Sequence, residues 1–281
     1  MFILISGLVA NATLLWLFLR ERKSFSASKV LGLNLVVMDL IYLFTLPVDL
    51  IYDIEKAQFG KGNDSAPIQP SFQSTQATMD KARDIFSMFN LIGCPLLLAC
   101  MCIERYLAVM RPVLYMRVRN WEYRMAVSAV VWAITLSFCL LTFFVADITI
   151  IMMAVSVIIS CLFFLMLASL GGVVWSLWQQ SPAHSTHGNQ RRPESPQKRQ
   201  AVDNVLAVVV PAVISYLPVL VMFPLVLYIY YVENSLERFL CNVLKLSVLF
   251  PSFGVLIGPL FYLSKARKMC CLSGTEKTFN E

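Results

Sequence analysis

Charge is scarce in this sequence: only 14% of its 281 residues are Asp, Glu, Lys or Arg, whereas 58% are hydrophobic. The mean hydropathy is +0.69. So apolar a composition excludes an ordinary soluble domain. Seven apolar runs have helical length and none shows the period-two alternation of barrel strands. We therefore predict an all-α membrane protein, a single domain of seven transmembrane helices at about 2–19, 30–51, 85–110, 125–146, 148–178, 205–232 and 239–263.

Histidine is almost absent, which bears on enzyme and metal chemistry. His184 and His187 are the only two, and both lie in the Ser-, Pro- and Arg-rich stretch 179–200. This composition predicts a flexible third intracellular loop, where two ligands make a poor metal site. No Ser/His/Asp or Cys/His set converges elsewhere in the sequence. We predict no enzymatic activity, no metal and no cofactor.

Cysteine is scarce on one side of the predicted bundle. Of eight cysteines, only Cys241 lies near the predicted outer face, so an extracellular disulfide within the chain is excluded. Cys270 and Cys271 follow the last span, beside Lys265. The pattern suits a short amphipathic C-terminal helix on the bilayer within the cytoplasmic tail 264–281, with both cysteines as palmitoylation sites.

The basic residues set the orientation. Sixteen of the 23 lysines and arginines fall, four at a time, in the stretches 20–29, 111–124, 191–199 and 265–277, and Arg124 is counted as a loop residue among them. Only five lie in the stretches on the opposite side. The positive-inside rule places these basic stretches in the cytoplasm and the N-terminus outside. Because the bases are spread over four loops, nucleic acid is not expected as a partner.

The first apolar run and the polar segment 52–83 bear on the predicted topology. The first run has no basic residue before it, so we do not interpret it as a cleaved signal. Its outer half is short, which predicts that the chain lacks residues that preceded Met1. Asn63, in the polar outer segment 52–83, begins an Asn-Asp-Ser glycosylation acceptor whose position agrees with the predicted orientation.

Two polar residues lie deep in predicted spans. We expect Asn11 to act as an interhelical hydrogen-bond donor. Asp39 is the only deep carboxylate of its span, and so costly a group predicts a functional partner or a water-filled cavity. The alternative is a protonated Asp39 that shares its proton with Asn11.

The third run ends in Glu104-Arg105-Tyr106. No ionisable side chain other than cysteine occurs between residues 85 and 103, so the acid and the base lie at a membrane face. Pro112 cannot continue the helix, which predicts that it ends one turn beyond Tyr106. We expect Arg105 to be held there by Glu104.

Six sequence features in this order resemble the rhodopsin-like (class A) G-protein-coupled receptors. The resemblance covers nearly the whole chain and includes the Glu-Arg-Tyr motif at the end of the third span. The matching features are Asn11, Leu33-Asn34-Leu35 with Asp39, Glu104-Arg105-Tyr106, Trp132, Ser215-Tyr216-Leu217-Pro218, and Gly258-Pro259-Leu260-Phe261-Tyr262.

The resemblance implies a receptor at the plasma membrane that binds an extracellular ligand and activates a heterotrimeric G protein, with membrane lipid around it. In this family the sixth span swings outward at the residue matching Pro218, and Arg105 would then leave Glu104 to meet the G protein. Tyr106 and Tyr262 would support the open form, and Tyr216 and Pro259 belong to the same switch motifs.

Departures from the family pattern carry further expectations. The outer start of the third span lacks the usual cysteine, and the loop after the fourth span is very short. Cys94, Gly254 and Gly258 replace polar residues of the family's sodium pocket, which argues against sodium binding. Near the sixth span, Asp203 is the only acid near enough to lock Arg105, so we expect raised basal activity.

The ligand class follows from three positions near the predicted outer ends. Ser87 stands where amine receptors carry an Asp, which argues against an amine. Arg83 and Lys245 suit an anionic group of a lipid, nucleotide or carboxylate, as in the purinergic and lipid-receptor branch. The alternative is that both side chains extend towards headgroups and water.

Two other functions compete with that of a signalling receptor. A receptor-like protein that no longer signals is suggested by the missing disulfide and loop. A small transporter would show internal repeats and several charges inside its spans, and the sequence has neither.

Overall fold

The computed structural model describes residues 2–20, 29–47, 70–118, 120–145, 148–179, 213–217 and 253–259. Within these residues the chain is almost entirely helical, which confirms the predicted all-α class. The number of spans and the amphipathic C-terminal helix stay predictions, because much of the sixth and seventh runs and the whole tail lie outside the described residues.

The described helices follow one another along the chain with short connections, except between the second and third. They are α1 (Phe2–Arg20), α2 (Lys29–Leu43), α3 (Pro70–Met88), a π segment (Phe89–Gly93), α4 (Cys94–Met110), α5 (Pro112–Val118), α6 (Trp121–Phe144) and α7 (Ile148–Gln179). Two short helical pieces, 213–217 and 253–259, belong to the predicted sixth and seventh spans.

Three stretches of the described residues are long and apolar enough to cross a membrane: Lys81–Met110, Trp121–Phe144 and Met153–Ser176. Leu4–Arg20 is apolar but shorter. The helix of the third predicted span begins at Pro70, well before the predicted boundary at residue 85. The apolar run marks only the part suited to hydrocarbon, whereas backbone hydrogen bonds continue the helix into a polar sequence.

Proline accounts for two helix ends. Arg111, which precedes Pro112, has φ −136° and ψ 68°, so α4 ends at Met110 as predicted. α2 ends at Leu43, residues 46–47 are helical again, and the predicted bound at residue 51 lies outside the described residues. Pro47 has no N–H to donate to the Leu43 carbonyl, and the chain turns at residues 44–45.

A π segment interrupts the third span one turn before its proline. The backbone N–H of Cys94 donates to the Phe89 carbonyl, five residues back, instead of to Asn90. In the same i to i−5 pattern, residue 95 would donate to the carbonyl of Asn90. Pro95 has no N–H, so this hydrogen bond cannot form. The carbonyl of Asn90 is therefore left for another partner.

The stretch Lys81–Met110 forms the centre of the described bundle. Of its most apolar 18 residues, 72% are buried, compared with 28% of the corresponding residues in α6 and in α7. The outer faces of α6 and α7 carry exposed residues such as Leu140 and Phe164. Close packing at the centre depends on Gly93. A Cβ atom there would lie 2.6 Å from Met38 Sδ and 3.1 Å from Thr135 Oγ1, so α2 and α6 both approach the π segment at this level.

Candidate functional site

Glu104 and Arg105 lie in the last two turns of α4 and have different surroundings. Glu104 is buried and forms an ion pair with Arg124, whose Nη2 donates to Glu104 Oε1. Arg105 is only partly buried and has no ion pair within the described ranges. The expected contact between Glu104 and Arg105 is therefore wrong for this conformation, because the carboxylate is occupied by an arginine from another helix.

Arg124 was missed as a site residue because it was counted as a loop base. It lies in the first turn of α6 and only 3% of its side chain is exposed. The sequence did contain a signal. The buried residues of α6 recur at helical spacing and most are polar, so Arg124 begins an inward-facing stripe: Arg124, Ser128, Val131, Thr135, Cys139 and Thr142.

Tyr106 packs against a glycine of α7. A Cβ atom on Gly172 would lie 2.5 Å from Tyr106 Cε2, so the ring occupies the space that this glycine leaves open. Gly171 beside it has nothing within 4 Å of the same position. The two glycines therefore differ in role, and only Gly172 is a packing partner of the Glu-Arg-Tyr motif.

Asn11 joins two distant parts of the chain. Its Nδ2 donates to the Gly7 carbonyl at 3.0 Å and to the Val255 carbonyl at 2.9 Å, which confirms the predicted interhelical donor. Its Oδ1 is buried and has no hydrogen-bond partner among the described residues. Asn11 thus ties α1 to the helical piece 253–259.

Asp39 has a partner in the third span. Cys94 Sγ donates to Asp39 Oδ1 at 3.2 Å, and both residues are buried. The described contacts of Asp39 and Asn11 are separate, so a proton shared between them is not what the structure shows. Asp39 instead links α2 to the start of α4.

Tyr216 uses the carbonyl that the π segment leaves without a helical donor. Its hydroxyl donates to the Asn90 carbonyl at 3.1 Å, and both residues are 2% exposed. Tyr216 lies in the helical piece 213–217, beside Ser215, which packs against Gly254. This contact joins the sixth predicted span to the middle of the third.

A second polar cluster, also missed, joins α2 to α6. Asn34 Nδ2 donates to Ser128 Oγ at 3.2 Å, and Trp132 Nε1 donates to Asn34 Oδ1 at 2.9 Å. The Trp132 ring also packs edge-on against Phe89, with 5.9 Å between ring centroids. These contacts fix α6 against α2 and the third span.

Near the Pro70 end of the bundle, two of the predicted ligand residues contact Asp84, a close neighbour in the sequence. Arg83 Nε lies 3.6 Å from Asp84 Oδ1 and its side chain is 47% exposed. Ser87 Oγ donates to the Asp84 carbonyl at 2.7 Å. Lys245 lies outside the described residues, so the expected pair of cations is not tested.

Several other predicted positions also lie outside the described residues: Asn63, Asp203, Pro218, Tyr262, Cys270 and Cys271. Pro259 is described and buried. Among the residues that the structure describes, no group of three or more His, Cys, Asp or Glu side chains could hold a metal ion.

The helices and the polar contacts between them define a multi-pass membrane protein. The sequence profile described as "7 transmembrane receptor (rhodopsin family)" matches residues 10–262, and the chain belongs to that family. Its members are receptors and not enzymes, so the expectation that the chain is no enzyme is confirmed.

Curated relatives match about half of the chain. They include a purinoceptor of Gallus gallus, 27% identical over 135 residues, which cover 48% of this chain and 33% of the relative. Human proteinase-activated receptor 3 is 27% identical over 51% of this chain and 34% of its own. Human lysophosphatidic acid receptor 4 is 27% identical over 48% and 32%. The chain thus spans about a third of the length of these relatives, which agree with the predicted purinergic and lipid-receptor branch.

Proposed function

We propose that the chain is a plasma-membrane receptor that converts binding of an extracellular ligand into activation of a heterotrimeric G protein. The observation that carries the proposal is Arg105. It ends the third span of a member of the rhodopsin family, at the face predicted to be cytoplasmic, and it is free of ion pairs within the described residues. An arginine in that position offers five donors to a partner's carbonyl or carboxylate groups.

The mechanism follows from a two-state helix bundle. A ligand that contacts one arrangement of the helices better shifts the population towards it. In the proposed active arrangement the sixth span tilts at Pro218 and opens the Glu104 end of the bundle. Arg105 and Tyr106 then face the entering G-protein helix, and Pro259 and Tyr262 support the opened form.

The test is a G-protein activation panel in membranes that contain the full chain, with surface expression measured in parallel. Arg105→Ala should reduce nucleotide exchange to the level of receptor-free membranes. Arg20→Ala is the matched control, because Arg20 also ends a helix at the predicted inner face but stacks on Trp16, 5.0 Å from its ring centroid. Full surface expression without exchange on any G protein would instead identify a receptor-like protein that no longer signals.

We further propose that the ligand carries an anionic group. Relatives named for purines and for lysophosphatidic acid support this, as does the half-exposed Arg83 beside the predicted outer face. Adenine nucleotides, lysophosphatidic acid and simple carboxylates are the probes. Arg83→Ala and Lys245→Ala should raise the concentration needed for half-maximal response to the active probe, whereas Lys56→Ala should not.

The proposed orientation has its own test. With the N-terminus outside, Asn63 is glycosylated and Cys270 and Cys271 carry acyl chains on the inner face. Digestion with an N-glycosidase should increase the mobility of the intact protein but leave Asn63→Gln unchanged. Hydroxylamine should remove the acyl label from the unaltered chain, and a Cys270→Ser/Cys271→Ser variant should carry none.

A further inference from the structure

Two arginines stand beside a single carboxylate at the Glu104 end of the bundle. Arg105 follows Glu104 directly in α4, but the ion pair is made by Arg124 from the first turn of α6. Glu104 and Arg124 are both buried, whereas Arg105 is only partly so. Which arginine the carboxylate takes therefore decides which one is available to a partner.

Burial makes the pair with Arg124 the dominant one. A buried carboxylate that loses the cation paired with it is strongly destabilised, so we expect Glu104 to take another cation within reach when Arg124 is removed. The nearest replacement is Arg105, one residue away on the same helix. Among the residues that the structure describes, the buried Nε of Arg124 has no hydrogen-bond partner, so the guanidinium is held by its contact with Glu104.

We propose that Arg124 is a positioning residue that competes with Arg105 for Glu104 and so keeps Arg105 available to the G protein. The inference rests on the proposed function and adds a residue to it. Arg124 does not touch the partner; it acts by occupying the carboxylate that would otherwise hold the switch arginine.

Three versions of the full chain in membranes test the proposal by basal nucleotide exchange per surface receptor. Arg124→Met keeps an unbranched side chain of similar volume, removes the guanidinium, and leaves Glu104 to Arg105. Basal exchange should then fall by about fivefold or more, the lower end of typical coupling between sites. Glu104→Gln/Arg124→Met removes the whole pair with little change in volume, and its exchange should return to the unaltered level because Arg105 is free again.

A second measurement reports on Arg105 without any G protein. Phenylglyoxal modifies accessible guanidinium groups, and peptide mass spectrometry locates each modified arginine. In inside-out membranes Arg105 should react readily in the unaltered chain and in the double variant, and about fivefold more slowly in Arg124→Met. In the unaltered chain Arg124 should be protected from phenylglyoxal. This comparison does not depend on the folding of any variant.

The outcomes separate the two proposals. An unaltered chain that activates no G protein overturns the proposed function but leaves the labelling pattern as expected. Two results would overturn the role of Arg124. One is that Arg105 is as well protected as Arg124 in the unaltered chain. The other is that Arg105 is labelled equally in all three versions. A loss of surface protein in Arg124→Met, with unchanged exchange per remaining receptor, would show that the pair only stabilises the fold.

Discussion

The hydrogen bond between Tyr216 and Asn90 gives the sharpest prediction, because the reason for it lies in the covalent structure of the third span. The Cys94 N–H, which would be the α-helical donor to the Asn90 carbonyl, donates to Phe89 instead. Pro95, which would be the π-helical donor, has no N–H. The Tyr216 hydroxyl, 3.1 Å away and buried, supplies a donor. Tyr216→Phe keeps the ring and removes only that donor.

The expected cost is about 1 kcal/mol. Leaving a buried acceptor unsatisfied costs about 1–3 kcal/mol in soluble proteins, and interhelical hydrogen bonds within membranes average about 0.6 kcal/mol. Pro95→Ala restores a backbone N–H that can reach Asn90. In the Pro95→Ala background, Tyr216→Phe should therefore cost less than about 0.5 kcal/mol, because the carbonyl then has a helical partner.

The assay is reversible unfolding of the purified full chain in mixed detergent micelles, without ligand. The four proteins of the cycle are compared with Tyr123→Phe, whose ring is 50% exposed and whose hydroxyl is expected to contribute nothing measurable. Equal costs of Tyr216→Phe with and without Pro95 would refute the reasoning, since the hydroxyl would then not be compensating for the missing backbone donor.

Two further predictions concern glycines at helix contacts. Gly172→Ala places a methyl group 2.5 Å from the Tyr106 ring and should lower thermal stability by several degrees, whereas Gly171→Ala, in open space, should leave it unchanged or raise it slightly. Gly93→Val should prevent the full chain from reaching the cell surface, because its side chain would overlap Met38 and the neighbouring helix; normal surface expression of this variant would contradict the packing described here.

Hydropathy and charge predicted much of the fold because the bilayer imposes strict rules on length and polarity. A hydrocarbon core needs about 20 apolar helical residues, so the approximate extents of α1, α6 and α7 follow from the sequence. The start of the third helix at Pro70 did not follow, because a polar helix outside the hydrocarbon has no comparable signal. Likewise the apolar run of the second span gave no sign of the turn at residues 44–45, just before Pro47.

The candidate site was predicted less fully, because a sequence shows which groups are costly to bury but not which partner each one takes. The donor role of Asn11 could be predicted, since a lone amide in a span has few alternatives. The partner of Glu104 could not: Arg105 is adjacent in the sequence, whereas Arg124 is brought close only by the packing of α6 on α4. Adjacency in the sequence does not decide the partner, because an arginine from another helix can reach the same carboxylate once the helices pack.

Contacts between α6 and the third span extend over most of the length of both helices. α6 is tied to the third span at four levels along its length: Lys81 on Phe143, Cys139 on Ile85, Thr135 against Gly93, and Arg124 on Glu104. In the described piece 213–217 of the sixth span, Tyr216 donates a hydrogen bond to a carbonyl of the third span that no helical donor can satisfy. Because α6 contacts the third span on both sides of Gly93, we expect these two helices to move as one unit. Arg124 is therefore well placed to hold Glu104 when other parts of the bundle rearrange.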